Sequence, residues 1–163
     1  MAANIRFINP DALAKPPSYT HVVEVAGPAR TVYIAGQLGT DRTGNVVGAP
    51  GDFRTQAVQV FENLKVALAA VGGTFRDVVK LNSYLADIAH LPILRDVRAG
   101  YLNAAALPSS TTIAVSAFAR PSALLEIEAV AVLPARAARA KAQGSRRSGR
   151  RSTKVKTGRR KRK

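Results

Sequence analysis

The sequence contains no cysteine. That excludes disulfides, thiol nucleophiles and thiolate metal sites, and it leaves the redox compartment open. Histidine is scarce. His21 and His90 stand far apart and in no metal-ligand spacing, and each reads more readily as structural than as catalytic. No run of 18 or more apolar residues occurs, so no membrane-spanning helix is expected. The opening MAANIRFINPDALAK lacks the apolar stretch of a secretory signal. The expectation is a soluble cytoplasmic protein with no membrane partner. No G-x-G-x-x-G opens a helix, so there is no dinucleotide fingerprint. No internal repeat is found.

Acidic residues are also absent from the last stretch of the chain. Of 25 Lys and Arg, 14 lie from Arg136 to Lys163 with no Asp or Glu among them. The remaining 11 face 10 acidic residues, so the body carries a net charge of only +1. Beyond Leu133 the only branched aliphatic residue is Val155. Such a segment buries too little apolar area to offset its ordering entropy. Residues 1–134 are therefore expected to form one domain, and 135–163 a disordered basic tail. The tail's charge suits non-specific, salt-dependent association with nucleic acid. No aromatic is interleaved to stack on single strands.

The 163 residues suffice for a domain with a substantial core. Residues 1–20, with Pro10, Pro16 and Pro17, read as an extended lead-in. THVVEVAG and RTVYIAGQL read as strands joined through GPA as a hairpin. In GDFRTQAVQVFENLKVALAAVGG, Phe53, Ala57, Val60, Leu64, Leu68 and Val71 recur at helical steps, with Asp52 as N-cap and Gly72-Gly73 as stop. DVVKLNSYLAD reads as a buried strand. HLPILRDVRAGYLN reads as a second helix, with Leu91, Leu94, Val97, Tyr101 and Leu102 on one side and Pro92 in its first turn. STTIAVSAF and ALLEIEAVAVLP are the last strands. The order is β-β-α-β-α-β-β, an α+β fold with one mixed sheet and two helices on one face. The other face carries Val and Ile that need cover, which implies a homo-oligomer.

Three groups could carry chemistry. Glu126 and Glu128 lie two apart, hence on one face of a strand. They make either a solvated face or, for one of them, a water-positioning carboxylate. Gly36 in IAGQLG is either a bulge or a place where a ligand approaches the backbone. Ser109 to Thr112 in ALPSSTTIAV are either turn and strand chemistry or the floor of a pocket.

TVYIAGQLGTDRTGNVV, QAVQVFENLKVALAAVGGTFRDVVKLNSYLAD and LPSSTTIAV…LLEIEAVAV resemble, in order and spacing, the Rid/YjgF family, formerly called endoribonuclease L-PSP. The resemblance spans about residues 16–134. It implies a chorismate-mutase-like fold and a homotrimer with a ligand cleft at each subunit interface. It further implies hydrolysis of small reactive enamines or imines to a keto acid and ammonia, without metal or organic cofactor. Some members have been called endoribonucleases. By the same resemblance, Tyr19 closes the cleft, Gly36 approaches the ligand and Tyr84 takes the place of an aromatic on the middle strand. Glu126 would hold the attacking water, and Thr112 stands where many members have cysteine.

One departure is pronounced. Active deaminases of the family carry an arginine on the substrate carboxylate where this chain has Ser110. Replacing a bidentate, charged donor by one hydroxyl in a cleft costs about 2–5 kcal/mol, some 30- to 3000-fold in affinity. Arg95 on the second helix and Arg120 between the last strands are the two candidates to restore the charge. Whether the chain is an enzyme stays open at this point. The alternative is a non-catalytic, small-molecule-binding trimer whose basic tail associates with nucleic acid.

Overall fold

The computed structural model describes residues 4–135, and the basic tail lies outside the described residues. Six strands and two α-helices are present in the order β1 (Asn4–Ile8), β2 (Val22–Ala26), β3 (Ala29–Leu38), α1 (Phe53–Ala70), β4 (Val78–Leu85), α2 (Leu91–Ala99), β5 (Ser109–Ala114) and β6 (Leu125–Pro134). The main sheet has the order β3-β6-β4-β5. It is mixed: β6 runs antiparallel to both β3 and β4, while β4 and β5 are parallel. The parallel pair is the one bridged by α2, as a crossover requires. The α+β class expected from the sequence is the one observed.

Two details differ at the N-terminus. The lead-in contains a strand, β1, and β2 pairs with it and not with β3. Ile5 and Phe7 stand opposite Val25 and Val23, so two short apolar alternations match in register. The chain turns at Gly27, whose φ of 89° suits glycine, and β3 then joins the other sheet through β6. The three prolines that suggested an extended lead-in all fall after β1.

The core lies between the main sheet and the helices. Phe53, Ala57, Val60, Phe61, Leu64 and Leu68 of α1 meet Leu81 and Leu85 of β4 and Leu125, Ile127, Ala129 and Ala131 of β6. Each fully buried Leu or Phe stabilises by roughly 1.5–3 kcal/mol. Helix α1 starts where Asp52 accepts the Thr55 N–H, and it ends at Val71 before Gly72. Asn63 and Gln56 fasten it to loops. Asn63 Nδ2 donates to the Leu38 and Thr40 carbonyls, while Gln56 bonds Ser122 O and Leu124 N. The opposite sheet face carries Tyr33, Tyr84, Glu126, Glu128 and Val130, and no element among the described residues covers Tyr33, which is 81% exposed.

Candidate functional site

The open sheet face holds three of the seven predicted site residues: Gly36, Tyr84 and Glu126. Strand β3 slips register between Ile34 and Gln37, so Ala35 and Gly36 form a bulge against β6. The Glu126 carboxylate lies over Gly36, and a Cβ there would run into it. The bulge reading of Gly36 holds, and the missing side chain leaves room for the Glu126 carboxylate. Tyr84 stands opposite Glu126, and Asn82 opposite Glu128, across β4 and β6.

The two glutamates differ in their partners. Glu128 Oε1 accepts from Asn82 Nδ2 at 2.7 Å and from Tyr84 Oη at 3.0 Å. That hydrogen bond, with burial and the two carboxylate charges, raises the Tyr84 pKa and keeps the phenol neutral. Glu126 has no hydrogen bond or ion pair among the described residues. A cavity of about 360 Å³ adjoins this face and is lined by Tyr33, Ala35, Lys80, Asn82, Glu128 and Val130.

The other four predicted residues form a second group. Tyr19, Arg95, Ser110 and Thr112 line a cavity of about 190 Å³ with Ser18, Leu91 and Arg98. Ser110 and Thr112 are paired with Leu81 and Ser83 of β4, whose side chains point to the helices. They therefore face α2, not the open face. Tyr19 is placed there because the Thr20 N–H donates to the Pro108 carbonyl at 3.1 Å, clamping the lead-in to the start of β5. Arg120 is elsewhere, within reach of the Gly44 turn. Of the two arginines offered as substitutes, only Arg95 lines the Ser110 cavity.

The sequence reading missed Arg98. It is 5% exposed, and its guanidinium donates to Ser110 Oγ at 3.3 Å, Ser18 O at 3.0 Å and Ser18 Oγ at 2.9 Å. Burial, and secondarily the charge of Arg95, lowers its pKa. A signal was available: Arg98 follows Leu94 by four and Leu91 by seven, so it falls on the apolar stripe of α2.

Neither histidine lines the cavity beside Ser110 or the one on the open sheet face. His90 stacks on Phe53 at 4.4 Å, and His21 Nε2 lies 2.8 Å from the Ala14 carbonyl. A broader groove of about 1050 Å³ lies on the helix side, lined by Glu62, Lys65, Phe75, Arg76 and Tyr101 among others. It contains none of the predicted site residues, and its Glu62 is committed to Tyr101 and Lys65. No helix among the described residues is long and apolar enough to cross a membrane.

A family profile described as endoribonuclease L-PSP matches residues 10–133. The chain belongs to this family, the Rid/YjgF family. Among its relatives is the 2-iminobutanoate/2-iminopropanoate deaminase of Dermatophagoides farinae, 32% identical over 71% of this chain and 85% of that protein. The protein of the same name from Mus musculus is 36% identical over 70% of this chain and 80% of its own length. YyfB from Yersinia pestis, a Rid-family protein of unknown function, superposes with a TM-score of 0.69 at 35% identity. That match covers 80% of this chain and 99% of YyfB. RidA from a Psychrobacter species gives 0.59 at 31% identity, over 78% and 99% of the two chains.

Proposed function

We propose that the protein is an enamine or imine deaminase working at clefts between the subunits of a homotrimer. The observation that carries this reading is the contrast between two carboxylates on one strand. Glu128 is occupied by Asn82 and Tyr84, whereas Glu126 overlies the Gly36 backbone with no protein donor among the described residues. A carboxylate so placed suits a water molecule. The names of the deaminase relatives agree with it. The split of the predicted residues over two surfaces also agrees, because a cleft between subunits would join one group to the other.

In the proposed reaction, water adds to the imine carbon. Glu126 accepts a proton from the water as the C–O bond forms, and the C=N electron pair moves to nitrogen. The proton passes to that nitrogen and gives a carbinolamine; Glu126 then carries the hydroxyl proton to the nitrogen as the carbonyl re-forms and the C–N bond breaks, and ammonia and a keto acid leave. A carboxylate and ordered hydrogen-bond donors suffice, so no metal or organic cofactor is required. Positioned proton transfer of this kind contributes about 10²–10⁴-fold.

The test supplies 2-iminobutanoate in situ from a dehydratase and follows ammonia release. Wild type should exceed buffer, and Glu126→Gln should lose at least about 100-fold. Wild type no faster than buffer across several amino-acid-derived imines would leave the second reading, a trimer that binds but does not hydrolyse. Ser110 favours that second reading, since it stands where the deaminases place an arginine. The basic segment from Arg136 adds non-specific nucleic-acid association to either reading.

A further inference from the structure

We propose that Arg98 of α2 is the carboxylate anchor of this site, supplying from the helix the charge that Ser110 does not supply from the strand. The proposal rests on the reading of the cavity beside Ser110 as a ligand site, and it names the group that selects the ligand's charge.

A buried guanidinium needs a counter-charge, and Arg98 has none among the described residues. Its three hydrogen bonds go to neutral acceptors, two on Ser18 and one on Ser110, against five N–H donors. Such bonds satisfy donors without neutralising charge. Arg95, a second cation, lines the same cavity, and the lining contains no Asp or Glu. The nearest acid in sequence, Asp96, is directed away to Arg54 at 2.7 Å. Two like charges and four hydroxyls, those of Ser18, Tyr19, Ser110 and Thr112, thus line one small space, and an anion is the missing partner.

The anchor is also reachable. Arg95 and Arg98 line a second cavity of about 200 Å³, with Pro17, Leu102, Ala104 and Leu107. Arg98 therefore borders two voids despite its burial. At about 30 Å³ per water, the 190 Å³ that this chain contributes accommodates a ligand of a few heavy atoms. That suits a short keto or imino acid and not a nucleotide. The geometry also explains why a small residue sits at 110. Arg98 Nη1 is hydrogen-bonded to Ser110 Oγ, so a second guanidinium on the strand would meet the first.

The competing account is a purely structural Arg98 that ties Ser18 to β5. Titration of the full-length protein with 2-oxobutanoate and its neutral analogue 2-oxobutanamide separates the two. The acid should bind at least about 30-fold more tightly than the amide. Arg98→Met should weaken the acid by about 30- to 3000-fold while leaving the amide within about threefold, and Arg98→Lys should recover part of the loss. A structural role predicts equal losses for acid and amide. Equal binding of acid and amide by wild type, or no saturable binding of the acid, overturns the proposal. So does a folded Arg98→Met that retains the acid within threefold. If Arg98→Met does not fold, Arg98→Gln carries the same comparison, and Arg95→Met should keep the acid preference; loss of that preference in Arg95→Met, with Arg98→Gln unaffected, would assign the charge to Arg95 and overturn the proposal. Acid selectivity without ammonia release would sustain the anchor and remove the deaminase reading; ammonia release without acid selectivity would do the reverse.

Discussion

Two glycines three residues apart show how differently the same residue type is used. Gly36 and Gly39 both follow strand residues in IAGQLG, and neither has a positive φ. At Gly39 an added Cβ would stand 2.8 Å from the Cα of Gln56 and 2.9 Å from its backbone carbonyl oxygen. Helix α1 would have to move, and overpacking of this kind costs about 1–3 kcal/mol. At Gly36 the obstacle is the tip of the Glu126 side chain, which can swing aside cheaply. Gly39→Ala should therefore lower Tm, while Gly36→Ala should hold Tm within a degree or two and lose ammonia release by displacing the carboxylate. Thermal melts paired with the ammonia assay check both. A Gly36→Ala protein with full activity would mean that the Glu126 position is irrelevant to turnover.

Elements were legible in the sequence where a single periodicity ruled. Helix α1, its Asp52 cap and its glycine stop follow from spacing alone, as do β4 and the alternation of β6. Partnership was not legible. The period-2 pattern put Glu126 and Glu128 on one face but could not tell which is held by Asn82 and Tyr84, because that depends on the register of β4 against β6. Strand β2 looked like half of a hairpin because its true partner, β1, lies upstream across an intervening loop, with pairs running from Ile8–Val22 to Asn4–Ala26. Arg98 was passed over because charge on a helix usually means solvent, although its phase put it inward. Tyr101, just past the end of α2, gives an element-scale test. It stacks on Phe61 and donates from Oη to Glu62 Oε1 at 2.9 Å, linking α2 to α1. Burial first, and then this bond to a carboxylate, pushes its pKa up to about 12. The unfolded phenol titrates near 10. Below pH 10 both states keep the proton and the contribution is complete; between pH 10 and 12 only the unfolded chain releases it, so stability falls as pH rises. Tyr101→Phe should remove that part of the alkaline decline in Tm. Identical wild-type and variant slopes between pH 10 and 12 would show that the ring, and not the hydroxyl, is what joins the helices.

At the scale of the molecule, the sheet's open face and the basic tail are proposed to do separate jobs, and this can be tested by crossing two changes. Tyr33 is 81% exposed on the face expected to be covered by other subunits, and Ile113 of the edge strand β5 is 47% exposed. A charge at Tyr33 would have to be desolvated in any such interface, so Tyr33→Glu should convert the proposed trimer to single chains in sedimentation and abolish ammonia release with it. Removing 136–163 should leave the trimer and its activity untouched, because the acid–base balance of the body is almost neutral without it. Nucleic-acid retention should respond in the opposite pattern. Truncation should abolish it at low salt, since all but a net +1 of the charge resides in the tail. Tyr33→Glu should keep it but weaken it by about 100-fold or more, because one tail replaces three linked ones. Full retention of duplex DNA by the truncated chain would place polyanion binding on the body instead. A Tyr33→Glu protein that remains trimeric would show that a different surface joins the subunits, and the two groups of site residues would then need another way to meet.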